Sequence, residues 1–150
     1  MDGEQEAPPR ASPKEKRILI VDDDDSVRSF LETIVQAEGF NVVTACNGTE
    51  AAEKMGDQPP DLIISDLMMP GEGGYELLRR LQSSGRGLIP VFIITASRLD
   101  DTTLQMIRRE ANVVQFIPKP VPVGPFVLSL HNILKTAPSS GNRSRGLNDR

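Results

Sequence analysis

The sequence predicts a doubly wound α/β domain: a five-stranded parallel sheet with helices on both faces. Two observations predict it. Short apolar runs alternate five times with segments of helical period. Most of those runs are continuous rather than alternating, the pattern of strands buried on both faces. The chain can supply the core such a domain needs, with 150 residues, 38% of them hydrophobic and 25% charged.

Each element follows in order. The run "ILIV" at 18–21 is the first strand. Val27, Phe30, Leu31, Ile34 and Val35 then recur at helical spacing, and Gly39 is placed to end that helix in the left-handed conformation. "NVVTA" at 41–45 is the second strand, followed by a short helix carrying Ala51, Ala52 and Met55 and closed by Gly56. "DLIIS" at 61–65 is the third strand, and Leu77, Leu78 and Leu81 mark a helix that stops near Gly85. "PVFIIT" at 90–95 is the fourth, before a helix with Leu104, Ile107 and Ala111. "VVQFI" at 113–117 is the fifth. Phe126, Val127, Leu130, Ile133 and Leu134 line the last helix, which Pro125 can begin because its missing N–H is not needed in the first turn.

Residues 1–16 are rich in Pro, Glu and Lys and read as a disordered arm; residues 137–150 read as a disordered tail, leaving a domain at 17–136. No apolar run approaches the ~20 residues of a membrane span, and the N-terminus has no apolar core of a secretory signal. A lone Cys46, at a strand end without a partner, excludes an internal disulfide and fits the cytoplasm. The net charge is −4, and residues 18–137 hold 10 basic groups against 16 acidic, so there is no basic face for nucleic acid. His131, the only histidine, lies beside the apolar stripe of the last helix and is expected to be partly exposed and without a chemical role.

In a doubly wound sheet, side chains at the carboxyl ends of the strands converge on one crevice. Asp22 and Asp23 follow the first strand, Asp66 the third, Thr95 ends the fourth, and Lys119 follows the fifth. Clustered carboxylates suit a hard cation, Mg²⁺ or Mn²⁺, and an adjacent lysine suits the anion that arrives with it, for which a phosphoryl group is the natural choice. Of the four consecutive aspartates 22–25, the first two belong to this crevice. Asp24 and Asp25 face the next helix, where one can cap free N–H groups and the other favours the positive end of the dipole.

The stretches "ILIVDDD", "DLIISDLMMPGEGGYELLRRL", "IPVFIITAS" and "FIPKP", in that order, resemble the landmarks of the two-component response-regulator receiver domain. The resemblance runs from about Arg17 to Thr136. It implies a flavodoxin-like sheet of strand order 2-1-3-4-5 with five helices. It implies that Asp66 accepts a phosphoryl group from a sensor histidine kinase or a phosphotransfer protein. Asp22, Asp23, Asp66 and the backbone carbonyl of Met68 would hold Mg²⁺, with Asp22 acting through water. Lys119 would pair with Asp66 and then with the phosphoryl oxygens, followed by a cis peptide at Pro120. Thr95 would donate its hydroxyl to the phosphoryl group, and Phe116 would be the switch aromatic. The readout would be partner binding at the face formed by the fourth helix, fifth strand and fifth helix, by a protein that is not otherwise an enzyme.

Three departures stand out. Met68 and Ser97 occupy positions that in the family tune attack of water on the acyl phosphate, so an altered lifetime is expected. The segment "EANVVQFIPKP" lacks the Gly-Ala and acidic pair frequent before this lysine, which points to a monomer or weak dimer rather than a salt-bridged dimer. No effector domain follows the last helix, so a stand-alone receiver is expected. Two alternatives remain open: a receiver-like scaffold that works without phosphorylation, and a haloacid-dehalogenase-like phosphatase using Asp23-x-Asp25-x-Val27. The second leaves Asp66 unexplained and lacks a later acidic pair.

Overall fold

A computed structural model describes residues 9–56, 58–67, 74–95, 101–110 and 112–138. Strands β1 (Arg17–Val21), β2 (Asn41–Ala45), β3 (Leu62–Asp66), β4 (Val91–Thr95) and β5 (Val113–Pro118) form one parallel sheet in the order β2-β1-β3-β4-β5. Helices α1 (Asp25–Ala37), α2 (Gly48–Met55), α3 (Gly74–Ser83), α4 (Asp101–Arg108) and α5 (Val123–Leu134) alternate with them. The order 2-1-3-4-5 is the one expected. Its reversal beside β1 opens a crevice at the carboxyl ends of β1 and β3.

The continuous apolar strands divide by parity between two cores. Ile18, Ile20, Leu62, Ile64, Phe92 and Ile94 pack with Leu31 and Val35 of α1 and with Phe126, Leu130 and Leu134 of α5. Leu19, Val21, Ile63, Val91 and Ile93 pack on the other face with Ala51 and Met55 of α2, Leu77, Leu78 and Leu81 of α3, and Ile107 of α4. Each fully buried side chain of this kind is worth about 1.5–3 kcal/mol. That energy makes the sheet a stiff platform for the polar residues at its edge.

Local signals set the helix ends. Asp24 caps α1 by accepting from Ser26 N at 2.9 Å and Val27 N at 3.1 Å. Gly39 follows its last turn with φ 99°, a backbone conformation that favours glycine. At α2, Asn47 accepts from Glu50 N at 2.8 Å while Glu50 accepts from Cys46 N at 2.7 Å, a reciprocal arrangement related to the capping box. Cys46, expected to stand alone, therefore sits in this cap, and Asn47 Nδ2 also donates to its Sγ at 3.5 Å. Pro125 lies in the first turn of α5, two residues after the helix begins.

Several expectations shift. Strand β3 runs one residue further than 61–65, so Asp66 is itself paired, opposite Ile94. Phe30 is 47% exposed although it belongs to the apolar pattern of α1. It lies about 100° round the helix from Leu31, just outside the stripe that faces the sheet. Residues 11–16, placed in the N-terminal arm, carry structure: a single 3-10 turn at Pro13–Glu15 and a parallel bridge between Ala11 and Thr136. Asn41 Nδ2 donates to Lys14 O at 2.7 Å, and Ala137 N donates to Ala11 O at 3.2 Å. Residues 1–8 and 139–150 of the two arms, and Ala111 of the fourth helical pattern, lie outside the described residues.

His131 departs most from expectation. It is 3% exposed, with Nδ1 at 2.7 Å from Thr136 Oγ1 and Nε2 at 2.8 Å from Glu38 Oε1. Its ring also lies 5.2 Å from that of Phe40. The chain folds back after α5, where Lys135 adopts a left-handed conformation, and so brings Thr136 over the imidazole. A polar residue beside an apolar stripe is thereby buried with both nitrogens satisfied.

Candidate functional site

Asp22 leaves β1 directly into the crevice and is fully buried. Its N–H donates to Ala45 O at 3.1 Å, and its Oδ1 accepts from Asp24 N at 2.9 Å. Its Oδ2, also buried, has no hydrogen bond; its charged neighbour is Lys119 Nζ at 3.2 Å, off the hydrogen-bonding direction. Asp66, 6% exposed at the end of β3, faces the same ammonium, with Oδ1 at 3.5 Å. Asp23 is exposed on the turn between β1 and α1. One oxygen from each of Asp22, Asp23 and Asp66 can be chosen so that all lie within 4.8 Å of one another.

Lys119 is carried to this point by β5. Its N–H donates to Thr95 O at 3.0 Å, and the Lys119–Pro120 peptide is cis, as expected. Burial pulls the Lys119 ammonium down, but the carboxylates of Asp22 and Asp66 more than offset that, so its pKa stands above the ordinary 10.5. The lysine is therefore charged at every physiological pH. Thr95 ends β4, half-buried, opposite Pro118. Phe116 lies further from the crevice, half-buried in β5 opposite Ile93, with Arg108 Cζ of α4 at 5.4 Å from its ring centroid.

The donor set fits a hard divalent cation. Three carboxylates against one ammonium leave an excess of two negative charges if all are ionised. Asp22 Oδ2 and Asp66 Oδ1 share the Lys119 ammonium, which leaves part of the carboxylate charge for a cation to meet. Oxygen-only ligands from short acidic side chains suit Mg²⁺ or Mn²⁺ rather than a softer metal. The structure thus brings Asp22, Asp23, Asp66 and Lys119 together, with Thr95 at the adjoining strand end. Met68 and Ser97 lie outside the described residues.

The four aspartates separate physically. Asp24 is the cap, and Asp25 turns outward, its side chain 89% exposed and paired with Arg28. Asp25 is not among the carboxylates that gather at the crevice. Arg28 was not anticipated: its Nη1 donates to Asp22 O at 2.7 Å while Nη2 holds Asp25. Its spacing of three residues from Asp25 on a helix was the available signal.

A family model described as the response regulator receiver domain matches residues 18–130. The response regulator MprA of Mycobacterium sp. (strain KMS) is 33% identical over 132 residues, covering 87% of this chain and 56% of that protein. The chain thus spans about half the length of the curated relatives it matches. Among solved structures, a response regulator receiver protein from Pseudomonas putida aligns with a TM-score of 0.73 at 27% identity, over 81% of this chain and 98% of that one. The chemotaxis response regulator CheY4 of Vibrio cholerae aligns at 0.71 and 26%, over 79% and 98%. With the sheet order, the acidic crevice and the strand-end lysine in place, this chain belongs to the response regulator receiver domain family of two-component signalling.

Proposed function

We propose that this receiver is a phosphorylation-dependent switch that takes its phosphoryl group onto Asp66 from a sensor histidine kinase or a phosphotransfer protein. The observation that carries the reading is the Lys119 ammonium set between Asp22 Oδ2 and Asp66 Oδ1, beside the exposed Asp23. An Asp66 carboxylate oxygen attacks phosphorus as the phosphorus–nitrogen bond of the donor phosphohistidine breaks, and the imidazole leaves with the electron pair. Such transfer needs positioning and charge neutralisation more than covalent help from the protein. Lys119 holds one Asp66 oxygen and then a phosphoryl oxygen, and the Thr95 hydroxyl donates to another. Asp22, Asp23, Asp66 and the Met68 carbonyl would hold Mg²⁺, which supplies neutralisation of the charge on the transferring group. Met68 and Ser97 set how readily water reaches the product and hence its lifetime.

The output is a population shift. Drawing Thr95 toward the phosphoryl group vacates space at the end of β4, and Phe116 fills it. That movement takes the Phe116 ring from under the Arg108 guanidinium and changes the surface formed by α4, β5 and α5. A downstream protein reads this face, in the cytoplasm, with the receiver as a monomer or weak dimer.

The test uses a small acyl phosphate donor, acetyl phosphate, with Mg²⁺. Wild type should incorporate one phosphoryl group with Mg²⁺ and none when the metal is chelated before the donor is added, while Asp66→Asn should incorporate none in either case. Equal incorporation by Asp66→Asn sinks the proposal.

A further inference from the structure

Among the described residues, no hydrogen bond or ion pair involves Asp23. Its carboxylate is placed only by the turn on which it sits. That turn is held on one side by the buried Asp22 and on the other by the capping Asp24. The Asp22 carbonyl belongs to the peptide unit joining Asp22 to Asp23, and a peptide unit is planar. Whatever fixes the direction of that carbonyl therefore fixes where the Asp23 N and Cα sit, and leaves only rotation about the N–Cα and Cα–Cβ bonds to aim the carboxylate.

The group that fixes it is Arg28 Nη1, at 2.7 Å from Asp22 O. Arg28 lies in the first turn of α1, its N–H donating to Asp24 O at 2.9 Å, so it reaches back across the turn from a helix already capped. Its Nη2 is occupied by Asp25, and its side chain is 21% exposed. A planar guanidinium with two of its donors engaged on different acceptors has little freedom left.

We propose that Arg28, held by Asp25, is a positioning residue: it pins the Asp22–Asp23 peptide so that the Asp23 carboxylate meets those of Asp22 and Asp66 around a divalent cation. The proposal rests on the reading of those three aspartates as the metal site. It reassigns Asp25 from the helix dipole alone to a support of the site, acting through Arg28.

Charge and position make opposite demands here, which makes the proposal testable. By Coulomb's law alone, removing a cation beside an acidic site strengthens the binding of another cation. Positioning requires the reverse, and loss of a residue that orients a metal ligand typically costs about 10–100-fold in affinity. The probe is Mn²⁺ itself, titrated into the unphosphorylated full chain, with free ion followed by electron paramagnetic resonance. Arg28→Met should weaken Mn²⁺ binding about tenfold, by the same reasoning. Arg28→Lys should recover part of the loss, since an ammonium can serve the carbonyl but lacks the fork that also holds Asp25.

Asp25→Asn, at an exposed position that leaves the core untouched, should weaken binding in the same direction. It should add nothing in the Arg28→Met background, because the two act as one unit. If Arg28→Met fails to fold, judged by circular dichroism without metal, Arg28→Gln replaces it in both titrations, since it too removes the charge and the fork. Asp25→Asn is read only against that background, because loss of its own charge weakens cation binding by itself. Unchanged or tighter Mn²⁺ binding in the Arg28 and Asp25 variants, with Asp23→Asn losing it, overturns this proposal and leaves the metal site standing. Absence of Mn²⁺ binding by wild type, or its survival in Asp23→Asn, overturns the metal site and this proposal with it.

Discussion

Four consecutive aspartates repel one another, and the fold resolves the repulsion by giving each a different neighbour. Asp22 meets Lys119, Asp24 meets the free N–H groups of α1, Asp25 meets Arg28, and Asp23 is left toward solvent beside Asp22 and Asp66. Glu50 illustrates the same economy at the next helix. Accepting from Cys46 N–H first, then from the thiol and from Lys54, lowers its pKa from the ordinary 4.5 to about 2. The thiol is in turn pushed above its ordinary value, chiefly by its bond to Glu50 and also by the charge of that carboxylate. A folded pKa below the unfolded one means that Glu50 contributes stability above about pH 4.5, and that this is lost as the pH falls through about 2. Its side chain is 35% exposed, so salt screens part of the effect. Melting curves of wild type and Glu50→Gln should therefore differ most near neutral pH and converge between pH 4.5 and 2; a gap independent of pH would contradict this. The strand-end residues Asp22, Asp66, Thr95 and Lys119 were legible in sequence because strand ends are, and a parallel sheet gathers them. Arg28 was legible only in part, and His131 was not. The i,i+3 pairing of Arg28 with Asp25 was readable, but its bond to a backbone carbonyl was not; His131 meets Glu38 93 positions away and Thr136 beyond a turn whose shape no motif announces.

At the scale of elements, periodicity placed all five strands and five helices, because continuous apolar runs and helical stripes are direct consequences of what each element buries. It misjudged Phe30 at the edge of its stripe and the N-terminal segment, where composition argues for disorder but backbone hydrogen bonds decide. Residues 11–16 dock on the end of α5 and the start of β2 through Ala11, Lys14 and Lys16, and Arg10 Nη1 adds a bond to His131 O at 3.2 Å. A chain beginning at Arg17 loses these bonds and uncovers the edge of the His131–Glu38–Thr136 network. It should melt several degrees lower, as a loss of about 1–2 kcal/mol produces in a domain of this size. The same chain should retain phosphorylation at Asp66, since the segment lies at the opposite end of the sheet from the crevice. An unchanged melting temperature would show that the docking contributes nothing.

Across the whole molecule, the two cores hold a rigid sheet whose carboxyl edge carries the acidic crevice, and the proposed output face begins where β4 and β5 leave that edge. Thr95 and Phe116, the proposed switch pair, both lie within paired strands, opposite Pro118 and Ile93. Everything in this account depends on where the phosphoryl group goes. The direct measurement is to load the chain with acetyl phosphate and Mg²⁺, reduce the acyl phosphate with borohydride to fix its position, and map the peptides by mass spectrometry. The account predicts modification at Asp66 alone; modification at Asp22, Asp23 or Ser65 instead, or none under conditions where the chain binds Mn²⁺, would contradict it.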